Sequence, residues 1–338
     1  MRGLLHTAGE RVELTCAVPW IADILTEGTA GQLTVADGTT PDVRVTVERG
    51  SAAFDVTGWR VLTRGAWCRR GQVVISDACS SGLDLQVTAG EPSLDVVARW
   101  RPSGRERAAA AVLRARARLL LRAVLLQYPA LWRSQQRGRA PLHASVCSLG
   151  PAEGSGGQTV MLAGPGGIGK STLVHGELLS GAACTCDNLC VSDGQYAWGV
   201  VEPLRLPAEV HGGQGRRMPY GRREAAWPRR PDRLQPDRLV VLARGGKPAV
   251  APQSHSLAAR HLVAGTYMAG ELRRYWAFAA TLALGTGLGG SHPPVQAIAD
   301  TLSSRLPCLQ VTLGDHPGAP LRELLATTTT ETATGVSA

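Results

Sequence analysis

The sequence predicts an α/β fold in which a strand–loop–helix domain follows a smaller β-rich domain. Three observations carry this expectation. Residues 160–174, VMLAGPGGIGKSTLV, run from an apolar segment through a glycine-rich turn into a helix-forming segment. Short stretches of residues 1–100 alternate apolar and polar side chains and end in Gly or Asp, as half-exposed antiparallel strands do. Between these regions, Leu113, Leu120, Val124 and Leu131 recur at helical spacing.

In chain order, QLTVADG, DVRVTVERG, GQVVISD and LDLQVTAG are the strand candidates of a domain over 1–104. A connecting helix is expected over 105–140, ending where QQRGRAP breaks the pattern before Pro141. Residues 141–320 form the second domain. There LHASVCSL and QTVMLAG read as strands, a helix starts at Lys170, and AACTCDNLCVSDGQYAWGVV supplies further strands. The proline- and arginine-rich stretch 203–237 is expected to be irregular. RLVVLAR reads as a buried strand, and AARHLVAGTYMAGELRRYWAFAATLAL as helical. Residues 321–338, with TTTTETATGVSA, are expected to be a disordered tail.

Composition narrows the class. At 338 residues, 44% hydrophobic and 19% charged, the chain has the balance of a folded globular protein. No uncharged apolar run reaches membrane-spanning length, so no membrane partner is expected. The eight cysteines form no CxxC pair and match no common zinc spacing. With no apolar leader at the start, a reducing cytoplasm is the expected compartment.

The glycine turn carries the chemistry. Gly164 to Ser171 satisfies the pattern Gly, four residues, Gly-Lys-Ser/Thr. Gly164, Gly166, Gly167 and Gly169, with Ile168, let successive backbone N–H groups turn inward around a phosphate. The helix beginning at Lys170 adds its unpaired N–H groups and the positive end of its dipole. Lys170 is a compact charge able to reach β- and γ-phosphates; Ser171 and Thr172 add hydroxyls, that of Ser171 suited to Mg²⁺. The lysine is informative in itself. Of 36 basic residues only Lys170 and Lys247 are lysines, and the rest are arginines.

The neighbours of this loop complete a pattern. PLHASVCSL with His143 precedes it; an apolar run ending in Asp187-Asn188 and then VVEPLRLP follow. This order resembles the catalytic domain of HPr kinase/phosphorylase and the wider HPr-kinase-like group, which is related to phosphoenolpyruvate carboxykinases. The resemblance covers roughly residues 140–310 and does not reach residues 1–100. It implies an α/β phosphate-loop kinase domain that uses ATP (GTP is the alternative) with Mg²⁺ to phosphorylate a hydroxyl. It further implies that Asp187 takes the hydroxyl proton. Apart from the resemblance, Lys170 belongs at the phosphates by its chemistry, and His143 reads either as a polar group of the phosphate site or as a core residue of its strand. Where the family has a second acid, this chain has Asn188, which brings an amide but no charge to the metal. Asp193 is a spare acid in an SDGQ turn. Glu202 and Arg205 read either as a substrate-side pair or as a surface ion pair, and the family's oligomers make a homo-oligomer an expectation.

The stretch 213–244 holds nine arginines against three acids. Arg216, Arg217, Arg222 and Arg223 are the candidates for an anionic acceptor or the transferring phosphoryl group. Thin aromatic interleaving disfavours nucleic acid. The expected function is therefore an ATP-dependent kinase acting on a small anionic metabolite, such as a nucleotide- or nucleoside-like biosynthetic intermediate. The alternatives are a protein or peptide serine kinase, or a nucleotide-binding regulatory protein without transfer activity.

Overall fold

The structure, a computed structural model, describes residues 1–150, 157–207, 216–217, 222–228, 230–314 and 320–325 (207, 216 and 217 as backbone alone). It is mixed α/β. The N-terminal strands are β1 (Arg2–Thr7), β2 (Glu10–Cys16), β3 (Val43–Glu48), β4 (Arg60–Thr63), β5 (Ala66–Arg69), β6 (Gln72–Ile75), β7 (Leu83–Ala89) and β8 (Leu94–Trp100). They form one sheet in the order β1-β2-β3-β8-β7-β6-β5-β4. Strand alternation places Val12, Leu14 and Cys16, and likewise Val43, Val45 and Val47, on its buried face.

Two expectations for this sheet need correction. Its pairing is not wholly antiparallel, because β3 runs parallel to both β2 and β8. The helix α1 (Pro19–Gly28) and the segment after it return the chain to the end from which β2 started. QLTVADG is not a strand either; it gives only a bridge between Leu4 and Thr34. Its Val35 is 88% exposed, so the alternation there has no buried face to serve.

The helix expected over 105–140 is broken into α2 (Gly104–Val112), α3 (Arg114–Arg122), a π-helical turn over Ala123–Gln127, and α4 (Tyr128–Gln136). Leu113 leaves helical geometry at φ −102°, ψ 45°, where α2, which buries no side chain, parts from the packed α3. Pro129 lacks the N–H that a continuous α-helix would use, and the wider turn precedes it. From α3 onward the segment forms a layer over the sheet. Val124, Leu125, Leu131 and Trp132 share a core with Leu14 and Val45.

The second half contributes β9 (Ala140–Leu142), β10 (Ala144–Leu149), β11 (Gln158–Ala163), α5 (Lys170–Leu179), β12 (Ala183–Cys186), β13 (Cys190–Ser192) and β14 (Ala197–Gly199). Then come β15 (Leu204–Pro207), β16 (Arg216–Arg217), β17 (Arg222–Ala225), β18 (Arg233–Leu234), β19 (Arg238–Arg244) and β20 (Ala249–Pro252). Helices α6 (His255–Met268), α7 (Tyr275–Thr286) and α8 (Val295–Arg305) precede β21 (Cys308–Leu313). The main sheet has the order β12-β10-β11-β19-β21-β20, with β11, β19 and β21 mutually parallel. The halves also share a core. Tyr275, Phe278 and Leu282 of α7, with Val191 and Trp198, pack into the same cluster as the N-terminal sheet.

Three further expectations change. The stretch 203–237 is not irregular throughout: β15, β17 and β16 form a small sheet, with Leu204, Leu206 and Trp227 buried beside Val174 of α5. A buried ion pair, Arg122 to Glu224 at 2.6 Å, ties that sheet to α3. Cys147 and Cys184 stand opposite one another on β10 and β12 and are joined as a disulfide. This pairing follows from strand register, which cysteine spacing does not reveal, and such bonds are rare in the reducing compartment expected. The predicted disordered tail is ordered over 321–325, a helical turn that buries Leu321 and Leu325 with Val174; residues 326–338 lie outside the described residues. Leu325→Ala is expected to cost about 2–5 kcal/mol, the usual range for a buried leucine, read as a lowered thermal midpoint. No change would mean that the turn does not dock. Among the described residues, no helix is long and apolar enough to cross a membrane.

Candidate functional site

The site forms where β11 empties into its glycine turn, at the C-terminal edge of three parallel strands. That is the edge at which open α/β sheets hold ligands. Gly167 at φ +81° and Gly169 at φ +123° adopt backbone that a Cβ would strain, so the tight turn requires glycine. The free N–H groups at the start of α5 face this loop. Lys170 is 5% exposed, and its Nζ donates to the carbonyls of Gly164 at 2.7 Å and Pro165 at 3.2 Å. Burial pulls its ammonium down to about 8, against the pull of Glu271 and Asp187.

Asp187 follows β12 directly and is 2% exposed. Its carboxylate lies beside the Ser171 hydroxyl, yet its Oδ1 has no hydrogen-bond partner among the described residues. Burial lifts its pKa, while Arg205 and Ser171 oppose the rise. The Ser145 hydroxyl donates to the Asp187 main-chain carbonyl at 2.5 Å and holds this turn against β10.

A chain of polar contacts runs along the cleft wall. His143 Nε2 meets Asn188 Oδ1 at 2.9 Å, and Asn188 Nδ2 donates to Glu202 Oε1 at 3.1 Å. Arg205 then donates to Glu202 at 2.6 Å and to Glu271 at 3.2 Å. Because the Asn188 amide donates to Glu202, its oxygen accepts from His143, which fixes the proton on Nε2 of the neutral ring. Burial, then Lys170, depresses the His143 pKa and favours that neutral form. Burial pushes Glu202 up to about 7. Glu271 stays below the usual carboxylate range despite burial, because Arg205 faces it.

The cleft above the loop encloses about 870 Å³. It brings together His143, Gly166, Gly167, Ile168, Gly169, Lys170, Ser171, Thr172, Asn188, Arg205 and Arg222 from the sequence-predicted set. Gly164 contributes its carbonyl to Lys170, Asp187 stands behind Ser171, and Glu202 stands behind Arg205. Arg223, next to Arg222 on β17, is not part of this lining. Arg216 and Arg217 pair with β17 through their backbone; their side chains lie outside the described residues. Asp193 is a turn residue whose Oδ1 accepts from the N–H groups of Gln195 and Tyr196.

Three ionisable lining residues escaped the sequence: Glu271, Arg244 and His261 of α6. Glu271 lies in a turn between α6 and α7, a stretch read as one helix; the Gly270-Glu271 interruption was the available signal. Arg244 ends β19, parallel to β11, and strand-end position could have marked it. Among the described residues, no group of three or more His, Cys, Asp or Glu side chains could hold a metal by itself. The chain matches no protein-family model and no curated protein.

Proposed function

We propose that this chain is an ATP-dependent phosphotransferase of HPr-kinase-like type, which phosphorylates a hydroxyl of a small anionic metabolite, nucleotide- or nucleoside-like in character. One observation carries the reading. A buried lysine, a helix-start serine and a carboxylate with one unpartnered oxygen meet at the mouth of a strand–glycine loop–helix turn. Phosphoryl transfer needs positioned phosphates, neutralising cations and a group that orients the nucleophile. The acceptor oxygen bonds to the γ-phosphorus as the bond from that phosphorus to the β,γ-bridging oxygen breaks. ADP leaves with the electron pair, and the hydroxyl proton passes to Asp187. A raised carboxyl pKa suits that role, since general bases work best when poised near the operating pH.

The Ser171 hydroxyl, beside the Asp187 carboxylate, would hold a Mg²⁺ ion, which would supply positive charge at the phosphates. Asn188 would serve the metal only by sharing Oδ1 with His143. The test is incubation with γ-labelled ATP or GTP and Mg²⁺, with separate small-molecule and protein fractions as acceptors. Label in small molecules supports the reading, label in protein alone makes the chain a protein kinase, and binding without transfer removes the kinase.

Lys170 makes a pH prediction. Its pKa is depressed to about 8, and a bound polyphosphate restores the charge. Nucleotide affinity is therefore full below that pH and falls as pH rises through it, by up to about tenfold per unit. Calorimetry at pH 9 in two buffers of different ionisation enthalpy should show proton uptake on binding. Its absence would place the ammonium's charge elsewhere.

A further inference from the structure

A second cavity lies beside the phosphate-loop cleft, with Arg205, Gly270 and Glu271 as a common wall. It encloses about 220 Å³ and is roofed by α3. Its apolar side consists of Leu119, Leu120, Ala123, Leu126 and Pro203. Arg116 and Arg274 line it as well, and they also line a third and wider depression of about 930 Å³ against the N-terminal sheet.

The arginines of this wall differ in their pairing. Arg205 is committed to Glu202 and Glu271. Arg122, also in the wall, is committed to Glu27 and Glu224. Neither Arg116 nor Arg274 forms an ion pair with any described residue, although both border the same cavity. Two uncommitted guanidinium groups in an apolar-walled cavity suit a carboxylate or phosphate. The leucines that line the same cavity suit a hydrocarbon or ring body.

We infer that this cavity is the acceptor site, and that it takes an amphiphilic anion with its charged group on Arg116 and Arg274. The apolar body lies on Leu119, Leu120 and Leu126. The hydroxyl emerges past Glu271 at the loop. This rests on the kinase reading for the fate of the hydroxyl, but the binding site itself does not. It also gives the N-terminal half a role, since Arg116 and Arg274 border the depression that the N-terminal sheet lines.

The test uses calorimetric titration of the intact protein with octanoate, octyl phosphate, acetate, inorganic phosphate and octane-1,8-diol, with the loop saturated by a non-hydrolysable ATP analogue. Octanoate and octyl phosphate should bind at least about tenfold more tightly than the short anions or the diol; which of the two is preferred identifies carboxylate or phosphate. The double variant Arg116→Gln/Arg274→Gln should lose that preference while binding the ATP analogue as the wild type does. Leu120→Gln should weaken both long anions and leave the analogue unaffected. Thermal midpoints check that each variant folds. Long anions that bind no better than acetate and phosphate, or that bind the double variant undiminished, overturn the site and leave the kinase standing. Long anions bound in this pattern by a protein that fails to bind the ATP analogue keep the site and remove the kinase.

Discussion

Lys170→Met is expected to weaken triphosphate binding by about a hundredfold or more and to take turnover below detection. An ammonium donating to phosphate makes charge-assisted hydrogen bonds, each worth about 1.5–3 kcal/mol. Its loss also removes the point charge that neutralises the transferring group. Methionine matches the reach of the stem but carries no charge, so it is compatible with the buried slot that Lys170 occupies at 5% exposure. It gives up the contacts to the carbonyls of Gly164 and Pro165. The thermal midpoint should therefore move little while binding collapses. Calorimetric titration with an ATP analogue and a coupled ADP assay separate the two quantities. Undiminished affinity would detach the loop from the nucleotide.

Asp187→Asn is expected to preserve nucleotide affinity and lower turnover by at least about a hundredfold, the usual scale for losing a positioned general base. The pH profile carries a second signature. Turnover of the parent protein should rise as pH climbs through the carboxyl's ionisation, and the variant should lack that limb. Stability should respond in the opposite sense. Burial raises this carboxyl's pKa in the folded chain, so its contribution is full at low pH and lost as pH rises through the folded value. The amide carries no such penalty, and the variant should be at least as stable as the parent near neutrality. Near-normal turnover would remove Asp187 from the chemistry. A loss confined to Mg²⁺-dependent nucleotide affinity would assign it to the metal instead.

Much of the site was legible because its chemistry is local. The loop from Gly164 to Thr172 is contiguous, and glycines at the φ values of Gly167 and Gly169 leave their mark directly in composition. His143, Asn188, Glu202 and Arg205 were singled out one by one, but their linkage into one hydrogen-bonded wall was not visible. Arg222 reaches the cleft and Arg223 does not, a difference of one residue on a strand that net charge cannot register. Glu271 was hidden inside a helical pattern whose Gly270 is in fact the break.

Taken by itself, the sequence determined what depends on neighbours along the chain: an α/β alternation, a glycine turn between an apolar strand and a helix, and a lysine chosen where arginine is the rule. Tertiary structure alone decided which strands run parallel, that Cys147 meets Cys184, and that α4 and α7 cover the N-terminal sheet. It also decided that the arginines of the second cavity without an ion pair among the described residues are Arg116 and Arg274, more than 150 residues apart in the chain, and that none of its arginines comes from the cluster that dominates the composition. The physical reason is the same in each case. Backbone preference is set within a few residues, whereas burial, register and the pairing of charges depend on which distant segments pack together.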